Sequence, residues 1–200
     1  MARPKSYERE EILDRAMQAF WRKGYEATST SDLEAQMGVN RYSLYAEFQS
    51  KHGLYHAALE RYLAVVVPGF IGELHQPGAG LPAIDAVLER FAAAAGAPGT
   101  ERGCMICNAA TETSVDDPST RDVVQRYVTF LEEGFRRALD QAVLQGELAP
   151  DLDTTGWSRK LATTLLGMFV LIRARVDGTL AREAGHMAIR ELHAHRPVPA

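Results

Sequence analysis

Apolar side chains recur at steps of three and four along almost the whole chain, and β-branched residues nowhere alternate with polar ones over a useful length. A helix buries a stripe of period 3.6 and a strand one face of period two, so the pattern restricts the chain to an all-α fold. The first stripe is Ile12, Leu13, Ala16, Met17, Phe20 and Trp21, with Gly24 placed to cap its end. Ser29 with Asp32 reads as a capping box that opens a short helix carrying Leu33 and Met37 and stopping at Gly38. Asn40 caps a second short helix, Arg41 to Phe48, whose apolar side is Leu44 and Phe48. Ser50 starts a longer one, with Leu54, Ala58 and Tyr62 in line, running toward Pro68.

Beyond Gly78 and Gly80 the segments lengthen: Leu81 to Ala95, Cys104 to Ser114, Pro118 to Gln145 behind an Asp117 cap, Thr154 to Val176, and Leu180 to His195. About nine helices and no sheet are expected. They divide into an N-terminal three-helix helix-turn-helix unit, residues 1–67, and a C-terminal helical bundle, residues 68–200. The longest apolar stretches, 63–72 and 161–172, fall short of the ~20 residues a membrane helix needs, and the charged N-terminus lacks the apolar core of a secretory signal. Two cysteines are too few for a disulfide scaffold and suit a reducing compartment. A cytoplasmic protein with no membrane partner is expected.

The net charge of −4, from 22 basic and 26 acidic side chains, does not by itself suggest a polyanionic partner. Residues 1–51, however, carry 8 of each sign, so the whole deficit falls after them and only the N-terminal part is electrostatically free to approach nucleic acid. There, the two short helices joined at Gly38-Val39-Asn40, about residues 29–48, fit a helix-turn-helix, whose second helix enters the DNA major groove. Gly38 suits a left-handed turn, Val39 fills the space between the helices, and Ala35 lets them cross closely. The outer side of the second helix offers Arg41, Tyr42, Tyr45 and Glu47. A helical hairpin in any all-α protein has the same outline, so the surrounding residues decide.

Gly24-Tyr25-Glu26-Ala27-Thr28-Ser29, Asp32-Leu33, Gly38-Val39, Ser43-Leu44-Tyr45, Phe48 and Ser50-Lys51 keep one order and spacing over about thirty residues. In them, residues 6–66 resemble the N-terminal domain of the tetracycline-repressor (TetR) family. The later helices resemble, more loosely, that family's C-terminal ligand-binding and dimerisation domain, and Arg102-Gly103-Cys104 is similar to a segment of one branch. The resemblance implies a transcriptional regulator, a repressor, that binds a palindromic double-stranded DNA operator as a homodimer and is released by a small-molecule effector. It maps phosphate contacts onto Thr30, Ser43, Tyr45 and Lys51, with Ser31 in the same interface. Arginine can bond guanine O6 and N7 bidentately and a tyrosine ring can lie on a thymine methyl, which makes Arg41 and Tyr42 the base readers; the alternative is that Arg41 is another phosphate contact. Tyr42 stands where many members have a small residue, and Ala46-Glu47 where a histidine or aromatic is common. Glu47 can accept from cytosine or repel phosphate and is given no contact.

Cys104-Met105-Ile106-Cys107 spells C-x-x-C, but a thioredoxin-like site needs a βαβ context. A zinc site needs two further ligands, and His52 and His56, at i and i+4, are joined to the cysteines by no motif. Neither metal nor cofactor is expected. Cys104 and Cys107 read as small apolar filling or as a redox or electrophile switch, since Cys104 beside Gly103 at a helix N-terminus favours thiolate. Phe91, Met105, Tyr127, Phe130, Trp157, Met168 and Phe169 are candidates to line a ligand pocket between helices, or are ordinary core. No Ser-His-Asp set, glycine-rich phosphate loop or paired-carboxylate spacing accompanies them, so no enzyme is expected, with an all-α carrier or enzyme as the competing class. Thr154 to Val176 is apolar on most sides. With the last helix it suggests a four-helix interface between two subunits through Leu161, Leu165, Gly167, Met168, Ile172, Met187 and Leu192, unless it belongs to an intrachain bundle. The helix from Ser50 to Val67 serves both parts and is the expected lever between effector and DNA, kinked or ended by Pro68 and set against the Leu81 to Ala95 helix.

Overall fold

The computed structural model describes residues 9–114 and 116–197, so the start of the 1–67 unit and the last three residues lie outside the described residues. Among the described residues every regular element is helical. Helix α1 (Arg9–Lys23) opens on Glu10 and Glu11 and closes on Arg22 and Lys23, charges that complement the helix dipole. Its stripe is buried apart from the half-buried Trp21, and Gly24, at φ +84°, donates its N–H to Phe20 O and ends the helix. Helix α2 (Thr30–Met37) packs on α1, and α3 (Arg41–Phe48) packs on α4 (Lys51–Arg61), which also crosses α1.

The chain does not stop or break at Pro68. A single wide π turn, Tyr62–Val66, follows α4 and brings the Val67 N–H to Tyr62 O; α5 (Val67–Ile71) continues with Pro68 in its first turn, before a 3-10 turn at Gly72–His75. A proline ring collides with the carbonyl four residues back and offers no N–H. Here that carbonyl belongs to Ala64, inside the widened turn, so the rod passes the proline instead of ending there.

The second half is a bundle of α6 (Leu81–Ala94), α7 (Met105–Glu112), α8 (Pro118–Leu144), α9 (Thr154–Arg173) and α10 (Gly178–His193). Helix α8 packs on α9, α10 packs on α6 and α9, and α7 is wedged against α8, α9 and the π turn. Counting α4, the π turn and α5 as one rod, the described residues form nine helices, as the periodicity predicts. Buried apolar side chains make one cluster from α1 to α10. No helix among the described residues is long and apolar enough to cross a membrane.

The faces of α9 correct one expectation. Leu161, Leu165, Met168 and Ile172 follow each other at steps of four, three and four and are buried within this one chain, as is Leu192 of α10. These five cannot form a surface for a second subunit, because α8 and α10 already cover the four on α9, and Leu192 is buried on α10, which packs on α6 and α9. The outward stripe is Thr163, Gly167 and Val170, continued by Ala174, beside Leu180, Ala184 and Met187 of α10. Val170 is 53% and Met187 48% exposed, so of the predicted set only Gly167 and Met187 face outward.

Candidate nucleic-acid interface

The helix-turn-helix is fixed by its caps. Ser29 Oγ accepts the Asp32 N–H at 3.1 Å and Asp32 Oδ2 accepts the Ser29 N–H at 2.9 Å, a reciprocal capping box at the start of α2. Lys23, 2.6 Å from Asp32 Oδ1, acts with those bonds to hold the carboxyl well below the usual carboxylate range. Gly38 adopts φ +69°, and since nothing lies within 4 Å of where a Cβ would point, backbone conformation and not space calls for glycine. Asn40 Oδ1 accepts the Ser43 N–H at 2.9 Å and Glu34 Oε1 accepts the Arg41 N–H at 2.6 Å, which satisfies free amides in the first turn of α3 from the turn and from α2. Leu33, Met37, Leu44 and Phe48 are buried beneath, with Val39 half-buried against them. Ala35 is exposed, so the crossing does not depend on its small size.

Outward, Arg41, Tyr42, Tyr45 and Ala46 line one shallow groove along α3. Tyr42 is 85% exposed, a large ring that the fold gives no packing role. The Tyr45 hydroxyl and Thr30 Oγ1 share a hydrogen bond of 3.0 Å, and the Arg41 guanidinium lies 5.2 Å over the Tyr45 ring. Ser31 is exposed next to Thr30, and Ser43 is half-buried in the first turn of α3. Lys51, in the first turn of α4, sits 4.4 Å over the Tyr25 ring instead of joining that cluster. Glu47 is engaged by Arg9 at 3.2 Å.

Polar struts join this unit to the bundle. Glu112, ending α7, accepts the Tyr25 N–H at 2.8 Å and meets Arg173 at 3.4 Å, while Arg173 donates to the Trp21 and Arg22 carbonyls at 3.4 Å each. The Trp21 indole N–H donates to Gly103 O at 2.9 Å, and Arg102 donates to Gln18 Oε1 at 2.7 Å. His52 Nε2 lies 2.8 Å from Asp117 Oδ2, on the carboxylate that also caps α8. The start of α4 therefore docks on α8 and not on the Leu81 helix.

At the same seam opens a cavity of about 250 Å³, walled by Trp21, Tyr62, Phe70, Phe91, Phe169 and Ile172, with Arg90, Arg102 and Gly103 at its border. Of the predicted pocket residues it takes in Phe91 and Phe169. Met105, Tyr127 and Met168 are core, Phe130 stacks on His75 at 3.9 Å, and Trp157 packs on His195 and beneath Lys160, so these five do not line it. Trp21 was legible only as the last member of the α1 stripe, and Arg102 only as part of a family-like tripeptide. Cys104 is buried in front of α7. Burial pushes its thiol up, but hydrogen bonds from Cys107, Tyr127 and Tyr62 outweigh this and bring the pKa down to about 7; the neighbouring Cys104 in turn drives Cys107 far up. Among the described residues no group of His, Cys, Asp and Glu is arranged to hold a metal.

A capped short helix that shows water a guanidinium and two phenols, held by struts to a bundle with its own cavity, defines a helix-turn-helix transcriptional regulator. Comparison with known proteins agrees with this class. Residues 12–58 match the model for bacterial regulatory proteins of the tetR family, and residues 80–188 match that for the tetracyclin repressor-like C-terminal domain. The HTH-type transcriptional repressor ComR of Escherichia coli (strain K12) is 32% identical over 174 residues, 86% of this chain and 82% of ComR. An uncharacterized HTH-type regulator of Bacillus subtilis (strain 168), YezE, is 30% identical over 178 residues, 88% of this chain and 92% of its own. A solved structure of the TetR family regulator CifR, a cysteine mutant complexed with 26-bp double-strand operator DNA, superposes with a TM-score of 0.81 at 28% identity, covering 96% of this chain and 100% of that one. The chain belongs to the TetR family of DNA-binding transcriptional regulators.

Proposed function

We propose that the protein acts in the cytoplasm as a homodimeric repressor that grips a palindromic operator through two copies of α3 and lets go when a small molecule binds. The observation that carries this reading is the exposed outer side of α3, where Arg41 and Tyr42 stand clear of the core on a helix held rigid by caps at its start. Arg41 and Tyr42 read bases; Thr30, Ser31, Ser43, Tyr45 and Lys51 hold the backbone, with the Thr30–Tyr45 hydrogen bond fixing two hydroxyls in one place. The dimer forms on the outward stripe of α9 and α10, where Gly167 permits close approach and Val170, Leu180 and Met187 supply apolar area. Selection of bound sequences from random DNA tests the reading: an inverted repeat with half-sites one helical turn apart is expected, and enrichment of no sequence refutes it.

A second input is an oxidant or electrophile acting through Cys104 and Cys107, of which Cys104 is buried and Cys107 partly exposed. Gly103, next to Cys104, carries the strut to Trp21, so modification of the pair acts on the same seam. Thiol counting during oxidant titration tests this, with unchanged operator affinity after full modification as the refuting result.

A further inference from the structure

We propose that the seam cavity binds a small aromatic carboxylate, with its ring among Trp21, Phe91 and Phe169 and its carboxylate on the Arg102 guanidinium. This rests on the reading of an effector-released regulator and names the chemical class its effector has to have.

Three features converge on that class. The walls are rings: Phe91 meets Phe169 edge-on at 4.7 Å and Phe70 at 6.1 Å, and Trp21 meets Tyr62 edge-on at 5.1 Å. A void bounded by edge-to-face pairs has ring faces and edges left over for a further ring, and little to offer a sugar or a peptide. The size agrees, since about 250 Å³ lies between the ~150 Å³ that accepts benzene and the ~300 Å³ of the smallest drug-sized sites. One ring with a short tail fits.

The charge is the third feature. Arg90 is already neutralised by Glu73, at 2.8 and 2.9 Å, and bonds Phe70 O. Arg102 has only a neutral acceptor, Gln18 Oε1 at 2.7 Å, and the face of Trp21 at 5.5 Å; among the described residues no carboxylate lies within ion-pair distance of it. Neighbouring Glu101 is not in ion-pair contact with Arg102; its carboxyl is held low first by backbone N–H groups and only then by the charges of Arg175 and Arg102. A guanidinium has five N–H donors, so most of those on Arg102 remain for a bidentate carboxylate. One available cation beside an aromatic void selects a monoanion.

The site is wired to the DNA-binding unit. Trp21 and Gln18 belong to α1, and both are held by the 102–103 segment. A carboxylate on the free donors of Arg102 draws the guanidinium from its bond to Gln18, and a ring against Trp21 loads its bond to Gly103, so occupancy loosens α1 from the bundle.

The test is calorimetric titration of the full-length protein with phenylacetate, 3-phenylpropionate and 4-phenylbutyrate, each beside its neutral amide. At least one acid is expected to bind one per subunit and about tenfold or more tighter than its amide. Arg102→Gln is expected to bring that acid down to the level of the amide and leave the amide unchanged, with Arg102→Lys restoring part of the difference. A cooperative urea unfolding transition close to that of the unaltered protein serves as the fold check on both variants, since Arg102 also holds Gln18 of α1. Equal affinity of acid and amide, no saturable binding by any of the acids, or a folded Arg102→Gln protein that still prefers the acid would each overturn the site. Operator release separates the two readings. An acid that binds with the Arg102 dependence yet leaves the operator bound retains the site and refutes its use by an effector; release by another compound, undiminished in Arg102→Gln while no aryl acid binds, refutes the site and retains the regulator.

Discussion

On the proposed reading Arg41 and Lys51 are both cations that meet DNA, but their chemistry predicts different losses. The Arg41 guanidinium, oriented by the Tyr45 ring, is a planar fork suited to one guanine, whereas Lys51 is a point charge in the first turn of α4. Arg41→Ala is expected to relax base preference at one position in each half-site at a cost of about 1–3 kcal/mol per contact. Lys51→Ala should weaken all sequences alike and lower the salt slope by about one. Binding measured across single-base operator variants and salt decides; an even loss in Arg41→Ala makes Arg41 a phosphate contact. His75 gives a pH prediction. Burial first, then Arg137, lowers its pKa, against smaller upward effects of the Phe130 backbone and Glu133. The fold therefore prefers the neutral ring, so stability is full above the unfolded value of about 6.5 and falls as pH drops below it. His75→Phe keeps the ring on Phe130 and removes a buried Nε2 that has no partner. It should gain about 1 kcal/mol at neutral pH and lose part of the decline below about pH 6.5, read from urea midpoints against pH; identical pH profiles for the two proteins would refute the assignment.

At the scale of elements, what reads directly from sequence is what is closed within a few residues. Ser29 with Asp32, Asn40 with Ser43, Asp117 before Pro118 and Gly38 each complete their hydrogen bonds or their backbone requirement locally, so the α2, α3 and α8 starts and the turn are all legible. Ser29→Ala is accordingly expected to cost about 1 kcal/mol in urea unfolding. The passage of the rod beyond Pro68 is not legible, because a proline signals a break and it is α7 and Trp21 of α1, packed on the π turn, that give the widened backbone its setting. Nor are the faces of α9. Leu161, Leu165, Met168 and Ile172 make one apolar stripe, Gly167 and Val170 lie on another, and only contact with α8 and α10 determines which is inside. The cavity is opaque for the same reason, since Trp21, Tyr62, Phe91 and Phe169 come from four separate helical segments. The outward stripe predicts that Val170→Glu with Met187→Glu yields a folded monomer by sedimentation, with operator binding weakened to that of a single half-site. Leu165→Glu, buried in its own chain, should instead unfold the protein; a soluble dimer of the double variant would move the interface elsewhere.

For the whole molecule, two recognition helices have to sit ~34–36 Å apart to enter successive major grooves, and any ligand that prefers another separation opposes DNA. The struts determine how far that preference is transmitted. Glu112 ties the Tyr25 amide to Arg173, Arg173 holds the last carbonyls of α1, Gly103 holds Trp21, and Asp117 holds His52 at the start of α4. Each lies between the helix-turn-helix unit and the bundle, so on the proposed reading a shift in the bundle reaches α1 and the start of α4, on which α2 and α3 pack. Coupling of this kind is typically ~1–3 kcal/mol and reciprocal: a compound that weakens operator binding by some factor is itself bound more weakly, by that same factor, in the presence of operator. Glu112→Ala combined with His52→Ala removes two struts without touching α3 or the cavity walls. The expected outcome is that operator affinity alone and effector affinity alone stay within a few fold, while the coupling factor, measured from both directions with any compound that releases the operator, falls toward one. Unchanged coupling in that double variant would leave the signal to the struts that remain, Trp21–Gly103, Arg102–Gln18 and Arg173 on the Trp21 and Arg22 carbonyls. Adding Trp21→Phe, Gln18→Ala and Arg173→Ala should then abolish it, and coupling that survives in a protein that still folds would refute transmission through the seam.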